Sequence, residues 1–162
     1  MATFSPSYGT LCDLAVTNLH SLADAAYWQS AGFDNSSKLG LVCHIFVTLV
    51  TNSDAGDAAG FANVYIAGSE DGGTDYAGGA SGTESAYAPD SDAAAHAPLL
   101  RQIAGLGIDA SDTASRTYEA DIEVPVTALP KHFSIVIQNE SGAALEDQNN
   151  AVEVMFIQGS SA

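Results

Sequence analysis

Short runs of β-prone residues alternate with clusters of glycine, asparagine, aspartate and serine along most of the chain, and this alternation limits the available folds. No stretch has the apolar periodicity of a full-length amphipathic helix. Valine, isoleucine, threonine and aromatic residues fill the runs and favour strands. The sequence therefore predicts an all-β fold, an antiparallel β-sandwich or jelly roll of about eight strands with long loops. The predicted strands are residues 11–16, 25–29, 39–50, 61–68, 99–108, 116–124, 133–138 and 151–158.

Two of these runs indicate which strands bury their faces. Residues 116–124 alternate between an apolar and an acidic face, which is typical of an antiparallel strand with one solvated side. Residues 39–50 are apolar on both faces, which predicts a strand in the middle of the core or under another chain. We expect core and subunit contacts from this run and the last two strands. The candidate residues are Leu41, Val42, Ile45, Phe46, Val47, Phe133, Ile135, Ile137, Val154 and Phe156.

The chain of 162 residues is long enough for one domain that folds without a disulfide or a metal. We assign residues 1–20 to an N-terminal arm or first strand, and residues 21–162 to a single β-sandwich domain. Residues 69–98 are predicted to form a long polar loop rich in glycine, alanine, serine and aspartate. A loop of this length inside a compact domain is unusual and is often functional.

Acidic residues dominate the charge, with 20 Asp and Glu against 4 Lys and Arg and a formal net charge of −16. Nucleic-acid binding relies on several cations that neutralise phosphates, and anionic membranes attract clusters of the same residues. The four dispersed cations supply neither, so we predict no nucleic-acid partner and no membrane partner.

Salt is expected to stabilise this protein. Charges of one sign repel each other in the compact state, and dissolved ions screen that repulsion. We expect the melting temperature to rise between low and high NaCl concentration, as in a protein that works in seawater or brine. A melting temperature that stays level across the same NaCl series would contradict this expectation.

The cysteines and the chain's N-terminal sequence bear on location. Cys12 and Cys43 lie in apolar, strand-like runs, so we predict two buried thiols and leave a disulfide between them open. The first residues lack the basic start and apolar segment of a secretion signal. The longest apolar run, 39–50, is far shorter than the roughly 20 residues of a membrane helix. We therefore expect a protein that is neither secreted by such a signal nor membrane-spanning.

Motifs that carry chemistry are absent from the sequence. Residues 79–83 approach the Gly-x-Ser-x-Gly turn of hydrolases but lack its last glycine. The glycine patterns of phosphate loops and dinucleotide sites are missing, and the four histidines form no metal-binding pair. We predict neither an enzyme nor a cofactor. A weak candidate for calcium is Asp71 with Asp75 on a glycine-rich turn, although an Asp-Gly turn with positive φ explains these residues more simply.

Several short stretches along the chain carry a resemblance as a set. They are SLADAAYWQS at 21–30 with Asp34-Asn35, AGSEDGGT at 67–74 with Tyr76, TYE at 117–119, LPKHF at 129–133 and NESGAAL at 139–145. In this order and spacing they resemble a family of small virion structural proteins encoded by tailed phages and related viruses. The likeness spans about residues 21–158, and the order and spacing of the stretches carry it more than any one motif. The middle loop, 77–98, is longer and richer in aspartate and alanine than is usual in that family.

This resemblance implies a jelly-roll-like capsid cement or decoration protein without catalytic residues. It implies that the chain's partners are the major capsid protein and copies of itself in a homotrimer. We expect it on the outer surface of the capsid, because packaged DNA would repel its negative charge, and in the host cytoplasm during assembly. Residues 69–98 are expected to contact the shell or a neighbouring subunit.

Two other functions stay open at this point. One is a component of the tail or a receptor-binding spike, which is also rich in strands. The other is a carbohydrate-binding β-sandwich module, for which Trp28, Tyr76 and Tyr87 are the candidate aromatic residues.

Overall fold

A computed structural model describes residues 4–36, 40–52, 60–69, 71–88, 100–109 and 115–161. Within these ranges the chain forms strands and two 3₁₀ turns, Ala77–Gly79 and Val126–Ala128. None of its described helical segments is long and apolar enough to cross a membrane. The strands are β1 Phe4–Tyr8, β2 Cys12–Asp13, β3 Tyr27–Gln29, β4 Phe33–Asp34, β5 Gly40–Val50, β6 Gly60–Ser69, β7 Ser85–Tyr87, β8 Arg101–Ile108, β9 Thr117–Pro125, β10 His132–Glu140 and β11 Ala151–Ser161.

Two antiparallel sheets pack against each other and confirm the predicted all-β sandwich. The first sheet has five strands in the order β1-β11-β5-β9, with β2 also paired to β11. The second sheet has six strands in the order β7-β3-β10-β6-β8, with β4 also paired to β10. The chain repeatedly crosses from one sheet to the other, so most neighbouring strands in each sheet are distant in sequence.

Every predicted strand overlaps an observed one, and the differences lie in short strands. The run predicted at 11–16 contains only the two residues of β2, whereas β9 and β11 begin within one residue of their predicted starts. β4 and β7 were not predicted, because two or three residues carry no periodic pattern. Both exist through pairing, β4 with β10 and β7 with β3.

The N-terminal residues form the first strand of the sandwich and not a separate arm. β1 pairs with the last residues of β11, and β2 pairs with Val154 and Glu153 of the same strand. Between them, the Gly9 amide donates to the Phe156 carbonyl at 2.8 Å. A Cβ at Gly9 would lie 2.7 Å from that carbonyl oxygen, so glycine permits this close approach.

The main core lies between the two sheets. It is made by the inward faces of β5, β9 and β11 from one sheet and β6 and β10 from the other. β9 buries the apolar face predicted from its alternation and exposes its acidic face. Seven of the ten candidate core or interface residues are buried here, namely Ile45, Val47, Phe133, Ile135, Ile137, Val154 and Phe156.

The strand that this chain itself buries on both faces is β10 and not β5. For residues 39–50 a place in the middle of the core is therefore wrong, whereas a place under another chain stays a prediction. β10 is buried at seven successive positions, from Phe133 to Asn139. β5 buries one face in the core, whereas Val42 and Phe46 on its other face are only half-buried. The side chain of Leu41 lies outside the described part of the chain.

The two cysteines differ in their surroundings. Cys43 is buried in the core as predicted, and burial raises the pKa of its thiol to about 12. Cys12 is exposed, which corrects the prediction of two buried thiols. β2 lies at the margin of the sheet, so its side chains do not reach the core. Both thiols are free, so the disulfide left open by the sequence is not formed.

An insertion between β6 and β8 covers part of the second sheet from outside. Tyr76, Ala80 and Tyr87 of this insertion form a second apolar cluster with Ala67 and Val136 of the sheet. This cluster covers Val136 on the outward face of β10. The described part of the predicted loop 69–98 therefore packs on its own domain, while residues 70 and 89–98 lie outside the described residues.

Polar side chains anchor the insertion at two places. The buried Gln29 of β3 donates to the hydroxyls of Ser81 and Ser85, at 2.8 and 2.7 Å, and accepts from the Ser81 amide. Glu84 accepts hydrogen bonds from Trp28 Nε1 at 2.8 Å and from the backbone and side chain of Asn18. These bonds join the insertion to β3 and to the segment that precedes it.

Replacing Glu84 by glutamine should destabilise the protein at neutral pH by about 1 kcal/mol. Partial burial opposes ionisation of Glu84, but the hydrogen bonds from Trp28 and Asn18 outweigh it and lower the pKa of the carboxyl. A lowered pKa stabilises the fold above the ordinary value, and that stability is lost as the pH falls through the folded pKa. The difference between wild type and Glu84→Gln in urea unfolding should therefore shrink at acidic pH. Glu119→Gln, at an exposed site, serves as the control, and an equal loss in both variants would contradict this role.

Candidate functional site

The outer face of the second sheet is largely occupied by its own chain. Beyond the insertion, a row of hydrogen bonds crosses β10, β6 and β8. It runs from Tyr65 through Gln138 and Glu140 to Asn63 and Gln102, with distances of 2.7 to 3.0 Å. Apart from the exposed Phe61, this face therefore presents polar groups that already have partners.

The outer face of the first sheet is different, because it is apolar. Strand register places Met155 opposite His44 and Ile157 opposite Val42, so these side chains share one face with Phe46. All of them are half-buried. Toward the β1 margin, Tyr8 is 76% exposed and Leu11 is 43% exposed, and both are among the large apolar side chains most open to solvent. No other described segment of the chain packs over this face.

A groove of about 560 Å³ runs across this face, and we call it the outer groove. Its floor is formed by Leu11, Phe46, Thr48 and Met155. The ring of Phe46 stacks on that of His44, with the centroids 5.9 Å apart, which fixes both rings on the sheet. The groove is large enough to receive several side chains of another molecule.

Carboxylates line the outer groove, and we call them the acidic rim. They come from β9 on one side and from β11 and β2 on the other. His44 Nδ1 lies 2.7 Å from Asp121 Oδ1, so one carboxylate of the rim has a partner on the sheet. The strands of this sheet contain no lysine or arginine in their described sequences. The acidic rim consists of Glu119, Asp121 and Glu153, which line the groove, and of their neighbours in the strand register, Asp13 and Glu123.

Two carboxyl groups of the rim lie against each other. Asp13 and Glu153 are directly opposite on β2 and β11. A hydrogen bond with Asp13, together with burial and the charge of Asp13, raises the pKa of Glu153. A raised pKa means that the folded state holds this proton more tightly than the unfolded state does. The pair therefore stabilises the fold at acidic pH, and this contribution is lost as the pH rises through the folded pKa of Glu153.

Replacing Glu153 by glutamine should raise the melting temperature at pH 8. The amide donates to the Asp13 carboxylate without a proton from solvent and removes a like-charge contact. At acidic pH the wild-type carboxyl already carries the proton, so the gain should be smaller. Melting curves of wild type and Glu153→Gln across this pH range test the effect. Glu119→Gln removes one exposed charge of the same rim and serves as the control. If its melting temperature rises as much as that of Glu153→Gln, the pair has no special role.

The candidate calcium turn is closed by its own hydrogen bonds. Asp71 accepts from the Ser69 hydroxyl at 2.7 Å and from the amides of Thr74 and Asp75. These bonds lower the pKa of Asp71 and occupy the oxygens that a cation would use. Gly72 and Gly73 have φ of 84° and 90°, the positive values that the turn explanation requires. Among the described residues, no group of three His, Cys, Asp or Glu side chains could hold a metal ion.

The aromatic residues suggested for carbohydrate binding are all buried. Trp28 lies in the main core, and Tyr76 and Tyr87 hold the insertion on the second sheet. A sugar ring stacks on an exposed aromatic face, and none of these three offers one. Of the candidate residues from the sequence, only Val42 and Phe46 reach the outer face with described side chains. Sequence analysis missed Leu11, Met155 and the acidic rim, although the Glu119 to Glu123 alternation marked one side of it.

Comparisons with known proteins give no family. No family model matches the chain, and no curated protein matches it. One solved structure that is similar in outline is the dimeric latent PorU from Porphyromonas gingivalis, with 8% sequence identity and a TM-score of 0.34. The match covers 99% of this chain and 13% of that one. At this level of similarity, the likeness carries no argument about function.

Proposed function

We propose that the protein is a structural component of a virion, a decoration or cement protein that binds the outside of the capsid. The observation that supports this most is the difference between the two outer sheet faces. The second sheet is covered in part by its own insertion and is otherwise mostly polar, with Phe61 as an exposed exception, whereas the first sheet keeps an open apolar groove. An apolar patch rimmed by polar groups is typical of a surface that binds another protein.

The charge distribution supports a position outside the shell. A protein with a formal charge of −16 and carboxylates on its open face would be repelled by packaged DNA. The sequence resemblance to virion structural proteins agrees with this position. The major capsid protein is therefore the proposed main partner, and the outer surface of the capsid the proposed location.

Electron cryo-microscopy of particles from the virus that encodes this chain tests the proposal. We expect the jelly roll in many copies spread over the outer surface of the shell. Density at one vertex only would replace the proposal by a component of the tail or of a receptor-binding spike. Absence of the protein from purified particles would contradict a structural role altogether.

Copies of the chain itself are the second proposed partner, as a homotrimer. A trimer would cover further apolar strand surface and fit the three-fold axes of an icosahedral shell. The exposed Tyr8 at the β1 margin is a candidate for such a contact. Light scattering at high protein concentration should give the mass of three chains, and a stable monomer would remove this part of the proposal.

A further inference from the structure

None of the three described lysines and arginines lines the outer groove. Arg101 is on β8 of the second sheet, Lys131 precedes β10, and Arg116 lies before the start of β9. Lys38 is outside the described residues. The acidic rim therefore has no lysine or arginine from its own sheet. The hydrogen bond of His44 within the rim is with Asp121. A ligand that fills the groove would have to bring the opposite charge with it.

We infer that the outer groove binds a segment of a partner protein that carries apolar side chains flanked by lysines or arginines. Leu11, Phe46 and Met155 offer the floor for the apolar side chains. Glu119 and Glu153 stand on opposite sides of the same groove and can each receive a cation. Complementary charge speeds such binding and selects the partner.

A second copy that presents its own first sheet is a poor occupant of the groove. Two copies related by a two-fold axis would bring one acidic rim against the other, and their strands supply no cation to separate them. Like charges placed together across an interface cost affinity and reject that partner. Salt reduces this repulsion, so the cationic segment has its largest advantage at low ionic strength.

That the segment belongs to a capsid protein rests on the proposed function. That the segment is apolar and basic is inferred from the groove alone. The test therefore uses no virus. A random library of ten-residue peptides displayed on yeast is selected on immobilised protein at low salt. Enriched peptides are then measured against four variants in matched pairs. Phe46→Ala in the groove is paired with Phe61→Ala, which is 53% exposed on β6, and Glu153→Lys is paired with Asp75→Lys on the insertion.

We expect enriched peptides that combine apolar residues with lysine or arginine. Phe46→Ala and Glu153→Lys should each weaken their binding about tenfold or more, as for a central aromatic contact and a charge reversal. Phe61→Ala and Asp75→Lys should bind them as the wild type does. Fluorescence of the single tryptophan, which is buried, confirms that each variant is folded.

Three results would overturn the inference. These are a library without binders, binders that lack excess lysine or arginine, and binders that do not distinguish Phe46→Ala from Phe61→Ala. A dimer in sedimentation that Phe46→Ala abolishes would give the groove to a second copy and overturn it as well. The peptide experiment uses no virus particle, so a negative result in it does not contradict the proposed position on the virion. A negative result in the microscopy likewise does not contradict the peptide binding.

Discussion

Replacing Asn139 by aspartate is expected to cost about 3 to 5 kcal/mol of folding stability at pH 8, the penalty for a buried charge without a partner. Asn139 is fully buried at the end of β10. Its amide nitrogen donates to the carbonyls of Leu22 and Ala143, at 3.0 and 2.8 Å, and its oxygen accepts from the Ser141 amide. The change is nearly isosteric, but a carboxylate would face carbonyl oxygens that need a donor.

The pH dependence of this variant identifies the cause. Burial among carbonyls raises the pKa of the new carboxyl in the folded state, so its proton stabilises the fold at low pH and is lost as the pH rises. Urea unfolding should show a smaller penalty at pH 4 than at pH 8. Asn149→Asp, the same change at an exposed position, should shift stability by less than about 0.5 kcal/mol. A penalty in Asn139→Asp that does not depend on pH would contradict the hydrogen-bond explanation.

Replacing Trp28 by alanine is expected to cost about 3 to 5 kcal/mol, the range for removing a large buried aromatic side chain. Trp28 is fully buried in the main core, and its Nε1 donates to Glu84 of the insertion at 2.8 Å. The variant thus leaves a cavity between the sheets and removes one anchor of the insertion. Circular dichroism with urea measures the loss.

A second variant separates the two effects of Trp28. Trp28→Phe retains much of the ring volume but has no N–H donor for Glu84, so we expect an intermediate loss of about 1 to 2 kcal/mol. Tyr8→Ala, which removes an aromatic ring that is 76% exposed, should change stability little. If Trp28→Ala and Tyr8→Ala lost the same stability, the core position of Trp28 would be in doubt.

The sequence was sufficient to predict the sandwich and most of its strands. The alternation from Tyr118 to Val124 identified an antiparallel strand and the side on which it is buried. Successive side chains point to opposite faces only in a strand, so apolar residues at every second position mark its buried face. The same alternation also marked Glu119 and Asp121 as a solvated face. These signals are local, so they are visible without knowing which strands become neighbours.

Contacts between distant segments could not be predicted in this way. The outward burial of Val136 on β10 depends on Tyr76 and Tyr87, which lie 60 and 49 residues earlier and reach it only through the insertion. The apolar pattern of β5 resembles that of a doubly buried strand, yet no described segment covers Phe46. Leu11 and Met155 meet in the outer groove because the N-terminal residues pair with β11, and this pairing leaves no local pattern.

The order of strands along the chain has a consequence for synthesis on the ribosome. The inner strand β10 of one sheet and the inner strand β11 of the other are made after the other described strands of the sandwich, and each separates strands made much earlier. In a nascent chain that ends after β9, the strand β10 that lies between β3 and β6 is missing, and so is the strand β11 that lies between β1 and β5. The second sheet cannot close until β10 has been made, and the first cannot close until β11 has been made. Folding of the sandwich should therefore follow their synthesis and be slow, as is usual for topologies with many long-range pairings.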